Sequence, residues 1–192
     1  MNKVVVGITG PIASGKYIVI KELEKLGFKT FSLGDRAREE ADRRALPHER
    51  SVLQDMGNNL REKFGDAILI QLTEKLFHPN DTKITVDGIR NPGEIKYLKE
   101  TYDSFIIGVD APIDKRRILV EKRGGDAAPK TDQEFKKVEQ RDRGIGEGSH
   151  GQQVDECLRF ADLVVENKGN EEEFRRAVRQ TCKLLKLKKN IQ

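Results

Sequence analysis

The residues Gly10-Pro11-Ile12-Ala13-Ser14-Gly15-Lys16 limit what this 192-residue chain can fold into more than any other stretch. They match G-x-x-x-x-G-K. An apolar run, Val4-Val5-Val6-Gly7-Ile8, comes before them, and Val19, Ile20, Leu23 and Leu26 recur after them at helical spacing. In such a strand–turn–helix unit, glycines let consecutive backbone N–H groups turn inward, and the positive end of the following helix reinforces them. Phosphate oxygens fit that concavity, and a lysine in the place of Lys16 reaches the β- and γ-phosphates of a nucleotide. The motif predicts ATP binding by Gly10, Pro11, Ile12, Ala13, Ser14, Gly15, Lys16 and Tyr17.

Position 17 departs from the pattern. A Ser or Thr hydroxyl there ligates Mg²⁺, whereas the phenol oxygen of Tyr17 lies several ångströms further from the backbone. Three readings stay open at this point. Ser14 substitutes for the missing hydroxyl; acidic residues and water hold the metal; or nucleotide binding persists while transfer is slow.

Downstream, strand-length apolar runs alternate with helical periods. Strands are expected near Lys29–Leu33, Lys83–Val86, Phe105–Val109 and Leu163–Glu166. Helices are expected over about 35–44, through Leu53, Met56, Leu60 and Phe64, and around Ile68, Leu72 and Leu76. Asn91-Pro92-Gly93-Glu94, Thr131 with Glu134, and Asn170 with Glu173 are helix starts by their capping residues. A basic helix runs through about Arg123, and a last one places Phe174, Val178, Cys182 and Leu185 on one side. The Gly-rich segment 144–151 reads as a mobile connector. This alternation predicts an α/β fold with five parallel strands covered on both faces. Two helical, charged insertions, about 35–80 and about 116–153, stand out within one globular domain spanning residues 1–192.

Composition narrows the function. Thirty-six Lys and Arg against 32 Asp and Glu leave a net charge of +4, and the charges are interleaved except at Lys183, Lys186, Lys188 and Lys189. No nucleic-acid partner is expected from that pattern. No run approaches the ~18 apolar residues of a membrane span. The amino end lacks a secretory leader's pattern, so a cytoplasmic location is expected, without a membrane partner. Cys157 and Cys182 read as packed thiols, and the three histidines show no metal-ligand spacing.

Two further segments carry candidate chemistry. Ser32-Leu33-Gly34-Asp35-Arg36-Ala37-Arg38 follows the second strand, and Asp87-Gly88-Ile89-Arg90 follows the third. Asp87 ends an apolar run, a position suited to holding Mg²⁺ through water or orienting a nucleophile. Arg38 and Arg90 are placed to grip a second phosphate, since a guanidinium bonds two phosphate oxygens at once. Among the arginines of the second insertion (Arg116, Arg117, Arg123, Arg141 and Arg143), Arg123 and Arg141 are the expected stabilisers of a transferring phosphoryl group, supplied by a closing lid.

The opening G-I-T-G-P-I-A-S-G-K resembles that of dephospho-coenzyme A kinases. Ser32-x-Gly34-Asp35-x-x-Arg38 and Asp87-Gly88-Ile89-Arg90 are similar to acceptor-binding elements of adenylate kinases. Ala161-Asp162-Leu163-Val164-Val165-Glu166-Asn167-Lys168-Gly169 resembles the tail of dephospho-coenzyme A kinases. Together these motifs resemble an adenylate-kinase-related, dephospho-CoA-kinase-like group over nearly the whole chain. The resemblance implies a three-layer P-loop NTPase fold with strand order 2-3-1-4-5, an acceptor-binding insertion, a lid, ATP and Mg²⁺. It places Asn167 near the adenine and Asp35, Arg38 and Arg90 on a small nucleotide acceptor. It implies a kinase acting on a nucleoside monophosphate or a dephospho-CoA-like molecule; the alternative is a nucleotide-binding regulator or slow ATPase in which Tyr17 impairs transfer.

Overall fold

Near-continuous apolar strands need cover on both faces, and alternate side chains of one strand serve the two faces separately. In the computed structural model, which describes residues 3–124 and 128–189 without the side chains of Arg123 and residues 186–189, this is how the chain is arranged. The elements run β1 Val4–Thr9, α1 Lys16–Glu24, β2 Lys29–Ser32, α2 Leu33–Arg43, α3 Arg50–Phe64, α4 Ile68–Glu74, β3 Lys83–Ile89, α5 Pro92–Thr101 and β4 Asp103–Asp110. They continue with α6 Ile113–Arg123, α7 Asp132–Arg143, α8 Val154–Phe160, β5 Leu163–Glu166 and α9 Glu171–Lys189. All strand pairs are parallel, in the order β2-β3-β1-β4-β5.

Val6 and Ile8 of β1 join Val19 and Leu23 of α1 and Phe174, Val178, Cys182 and Leu185 of α9 in one core. Val5 turns the other way, into a second core with Ile84, Val86, Ile95, Leu98 and Cys157. The two cysteines are therefore free and buried on opposite faces of the sheet. A small third cluster, Ala37, Ala41, Leu53 and Met56, joins α2 to α3 within the first insertion. Among the described residues, no helix is long and apolar enough to cross a membrane.

The structure corrects the sequence expectations in three places. First, β3 runs on to Ile89. Its register with β1 shifts so that Ile8 faces Asp87 while Thr9 faces Ile89, leaving Gly88 unpaired with φ +86°. This irregularity re-aims the strand where Asp87 leaves it. Second, α8 was not anticipated, because a seven-residue helix with two buried residues, Val154 and Cys157, shows too little periodicity. Third, segment 144–151 is tied down: Asn91 Nδ2 donates to the carbonyls of Ser149 and Gly151, each at 2.9 Å. Residues 125–127 and the side chains of Lys186, Lys188 and Lys189 lie outside the described residues.

Candidate nucleotide and acceptor site

The phosphate-binding turn is held by close backbone approach. Gly10 has φ +144°, and a Cβ there would stand 2.0 Å from the Val109 carbonyl oxygen. Gly15 has φ +107°, and a Cβ there would lie 2.8 Å from both Asn167 Nδ2 and Phe174 Cε1. No side chain fits at either position, so the motif glycines are dictated by the turn itself. Ala13 also takes a positive φ, +56°, in the left-handed region that non-glycine residues seldom adopt.

Lys16 folds back over this turn, its Nζ donating to the carbonyls of Gly10 and Pro11 at 2.8 Å each. Burial lowers its pKa from 10.5 to about 8, and Arg90 lowers it further, while Asp87 and Asp142 partly oppose. This part-buried ammonium is held by two neutral carbonyls.

In front of the turn lies a cavity of about 700 Å³, walled by Lys16, Tyr17, Asp87, Lys115, Asn167 and Phe174 among others. Asn167 joins its two sides: its Nδ2 donates to the Ser14 carbonyl at 3.0 Å, and its Oδ1 accepts from Lys115 Nζ. Lys115 was not identified from sequence; its place on α6, facing the β5–α9 turn, is set by the fold. Tyr17 stands on the rim, 64% exposed, with Lys21 Nζ 5.5 Å from its ring centre.

The residues present fit Mg²⁺ in part. Ser14 Oγ and Asp87 Oδ1 are both buried without a protein partner, and both residues line this cavity. Among the described residues, no three His, Cys, Asp or Glu cluster as a metal cage. A cation here would thus be carried chiefly by nucleotide phosphates, with Asp87 supporting it through water.

A second cluster beside the turn is built from three distant segments. Arg90, from the β3–α5 turn, pairs through Nη1 with Asp142 of α7 at 2.8 Å. Arg50, the first residue of α3, donates to the same carboxylate at 3.1 Å, as does Gln54. The Ile12 N–H of the phosphate turn donates to Asp142 Oδ2 at 3.0 Å. Burial alone would raise Asp142, but Arg90, then Arg50 and Lys16, hold it well below the usual carboxylate range. Arg50 is lowered from 12.5 to about 10 by burial, with Arg90 adding to the effect.

Sequence reasoning missed Asp142, Arg50 and Gln54. A signal existed for Asp142: it continues the buried stripe Phe135, Val138 at i, i+3, i+7, so it faces inward. Its neighbours on either side do not. Arg141 Nη2 pairs with Asp55 at 2.8 Å and Nε with Glu147 at 2.6 Å, so it is not among the groups gathered around the turn. Arg143 is held by Asp110, Glu139 and Asp155. Arg116 is buried against Glu139, and Arg117 meets Glu121 and Asp132. The side chain of Arg123 lies outside the described residues. Asp35 and Arg38 pair with each other at 2.8 Å, roughly half-exposed at the start of α2, with Arg38 close enough to act electrostatically on Arg50.

Glu94 fixes the turn that carries Arg90. Its Oε2 accepts from the N–H groups of Arg90 and Asn91 at 2.8 and 3.1 Å. Its Oε1 accepts from Arg61 Nε and Nη2 at 3.0 and 2.9 Å, an ion pair buried on both sides. The capping box at Asn91–Glu94, read in the sequence as a helix start, thus also ties α3 to the turn that carries Arg90.

No family model matches the chain. It is 33% identical over 195 residues to a UPF0200/UPF0201 protein of Archaeoglobus fulgidus, covering 98% of this chain but only 57% of that relative's length. It is 32% identical over 182 residues to a UPF0200 protein of Saccharolobus islandicus, covering 90% of this chain and 88% of the relative. Among solved structures, TT1252 from Thermus thermophilus superposes with a TM-score of 0.56 at 22% identity, covering 96% of this chain and 99% of that one. Shikimate kinase from Acinetobacter baumannii gives 0.57 at 12% identity, over 100% of this chain and 97% of that chain. At such identities the likeness establishes a shared P-loop kinase-like fold, and a fold does not fix a substrate.

Proposed function

The chain belongs to the UPF0200 family, and on that premise we propose that it is an ATP-dependent phosphotransferase acting on a small phosphate-bearing nucleotide, either a nucleoside monophosphate or a dephospho-CoA-like molecule. One observation carries the reading: a glycine-built phosphate turn with a part-buried lysine is joined through Asp142 to a second set of largely buried cations, Arg50 and Arg90. An enzyme that only hydrolysed ATP would have no use for the second set.

In this reading Lys16 leaves the Gly10 and Pro11 carbonyls to bind the donor's phosphates, beside the inward N–H groups of residues 10–17. Asn167 and Lys115 wall the cavity that takes the nucleoside, and Arg90, with Arg38 and Asp35 at its edge, orients the acceptor. Asp87, just before the irregularity of β3, orients the acceptor's nucleophile or supports Mg²⁺ through water. Mg²⁺, when bound, supplies neutralisation of the phosphate charge. The second insertion, about 116–153, excludes water as a lid; Arg123 is its proposed catalytic cation, and Arg141 acts by bracing it against Asp55 of α3.

A second reading, a nucleotide-binding regulator or slow ATPase, is favoured by Tyr17 alone, since its ring turns out to solvent and leaves no hydroxyl at the usual metal position. A coupled assay separates the two: ATP and Mg²⁺ with AMP, CMP, UMP, GMP, their deoxy forms and dephospho-CoA, with Lys16→Ala as control. A phosphorylated acceptor that disappears in the variant supports the kinase. ADP formed equally with and without every acceptor supports the ATPase.

A further inference from the structure

The buried carboxylate of Asp142 meets more positive charge than one carboxylate can neutralise. Arg90 and Arg50 touch it, Lys16 acts on it through space, and Asp87 adds a second negative charge beside Lys16. Its other two partners, the Ile12 N–H and Gln54 Nε2, are neutral donors. Asp142 is fully buried, and the side chains of Arg50 and Arg90 are 20% and 15% exposed. Donor capacity is left over as well, since Arg50 Nε is buried without a partner. Two guanidinium forks, an amide N–H of the phosphate turn and a carboxamide converging on one point are the equipment of a phosphate site. A phosphate dianion brings more charge and more acceptor oxygens than a carboxylate does.

We propose that Ile12 N–H, Arg50, Gln54 and Arg90 form the binding site for the phosphate of the second substrate, and that Asp142 is an internal stand-in which holds this site until phosphate displaces it. The proposal rests on the kinase reading for the identity of the phosphate, but the site itself stands on its own geometry. Arg50 also walls a cavity of about 420 Å³ between the starts of α3 and α7, with Lys130, Lys137, Glu49 and Glu134 around it. That space gives the body of a small molecule a place beside the cage. The carboxylate and the ligand phosphate then compete for the same donors. Binding of the second substrate is weakened by Asp142 and coupled to release of α7 from the phosphate turn.

The test titrates inorganic phosphate, at fixed ionic strength with chloride as the balancing anion, into the wild type, Asp142→Asn and the double variant Asp142→Asn with Arg50→Ala. Calorimetry gives affinity and thermal unfolding gives stability. Asp142→Asn is expected to bind phosphate about tenfold or more tightly than the wild type, with most of that gain lost in the double variant. Should Asp142→Asn be poorly folded, because its cations are left unpaired, phosphate but not chloride is expected to restore its melting temperature. Unchanged or weaker phosphate binding by a folded Asp142→Asn, a gain that survives loss of Arg50, or a destabilised variant that phosphate does not rescue would each overturn the proposal. A parallel ATP titration keeps the two readings apart. Absent ATP binding alongside tighter phosphate binding defeats the kinase and leaves the anion site standing; normal ATP binding without the phosphate effect does the reverse.

Discussion

The phosphate turn and the proposed acceptor half of this site are built on opposite principles. Around the phosphate turn, polar groups are left open: Ser14 Oγ and Asp87 Oδ1 have no protein partner, and Lys16 has only two carbonyls. In the proposed acceptor half, charged groups from far-separated segments are engaged with one another, Asp142 with Arg50 and Arg90, Glu94 with Arg61, with positive charge to spare around Asp142. The first half stores backbone strain and unmet hydrogen bonding for a ligand to relieve. The second spends its charges on holding α3, α7 and the β3–α5 turn together. Substitutions should therefore act chiefly on function in the first half, and on stability as well as on ligand binding in the second.

The largest effect expected is on the acceptor side. Arg61→Ala leaves the buried Glu94 without its ion-pair partner, held only by the N–H groups of Arg90 and Asn91, which costs about 3 kcal/mol of folding stability. Urea unfolding measures it, and a loss below ~1 kcal/mol would mean the pair does not brace the turn that carries Arg90. Next, Lys16→Ala is expected to lower phosphoryl transfer by about 10²–10³-fold while the protein stays folded, as steady-state rates and a melting curve together would show. Equal damage to both readouts would erase the contrast between the halves.

A pH series sharpens it further. Lys16 has a folded pKa of about 8 against 10.5 unfolded, so its unfavourable burial is fully felt below pH 8 and relieved as pH rises from 8 towards 10.5. ATP affinity should consequently fall as pH passes through about 8, and the stability difference between wild type and Lys16→Met should shrink over the same interval. Affinity that is flat from pH 7 to 9.5 would place the ammonium in a different environment. The smallest effect is at Tyr17. Because its ring is 64% exposed, Tyr17→Ser should change stability by no more than about 0.5 kcal/mol. It should still strengthen the dependence of transfer on Mg²⁺; an unchanged Mg²⁺ titration would show that position 17 has no part in metal binding.

What the sequence disclosed follows the same division. The phosphate turn is contiguous, and its glycines are required by local backbone geometry, so seven residues in a row announced it. The strands, the Asn91–Glu94 capping box and the apolar stripe of α9 were legible for the same local reason. The strand order came through resemblance rather than periodicity, and the sheet bears it out. The acceptor cage depends on pairings across 92 residues between Arg50 and Asp142, and on a strand irregularity at Gly88, neither of which spacing can reveal. The bias towards arginine as the lid's active residue also hid Asp142, although the buried stripe of α7 already pointed inward at that position. Of three consecutive charged residues, helical geometry alone selects the one that faces the turn.

The central claim is that residues 10–17 bind the triphosphate of ATP, and calorimetry tests it most directly. Titrating ATP, with and without Mg²⁺, into wild type and Lys16→Ala should give saturable heat for the wild type and little or none for the variant. Heat no greater than dilution for the wild type, or identical isotherms for the two proteins, would contradict the account.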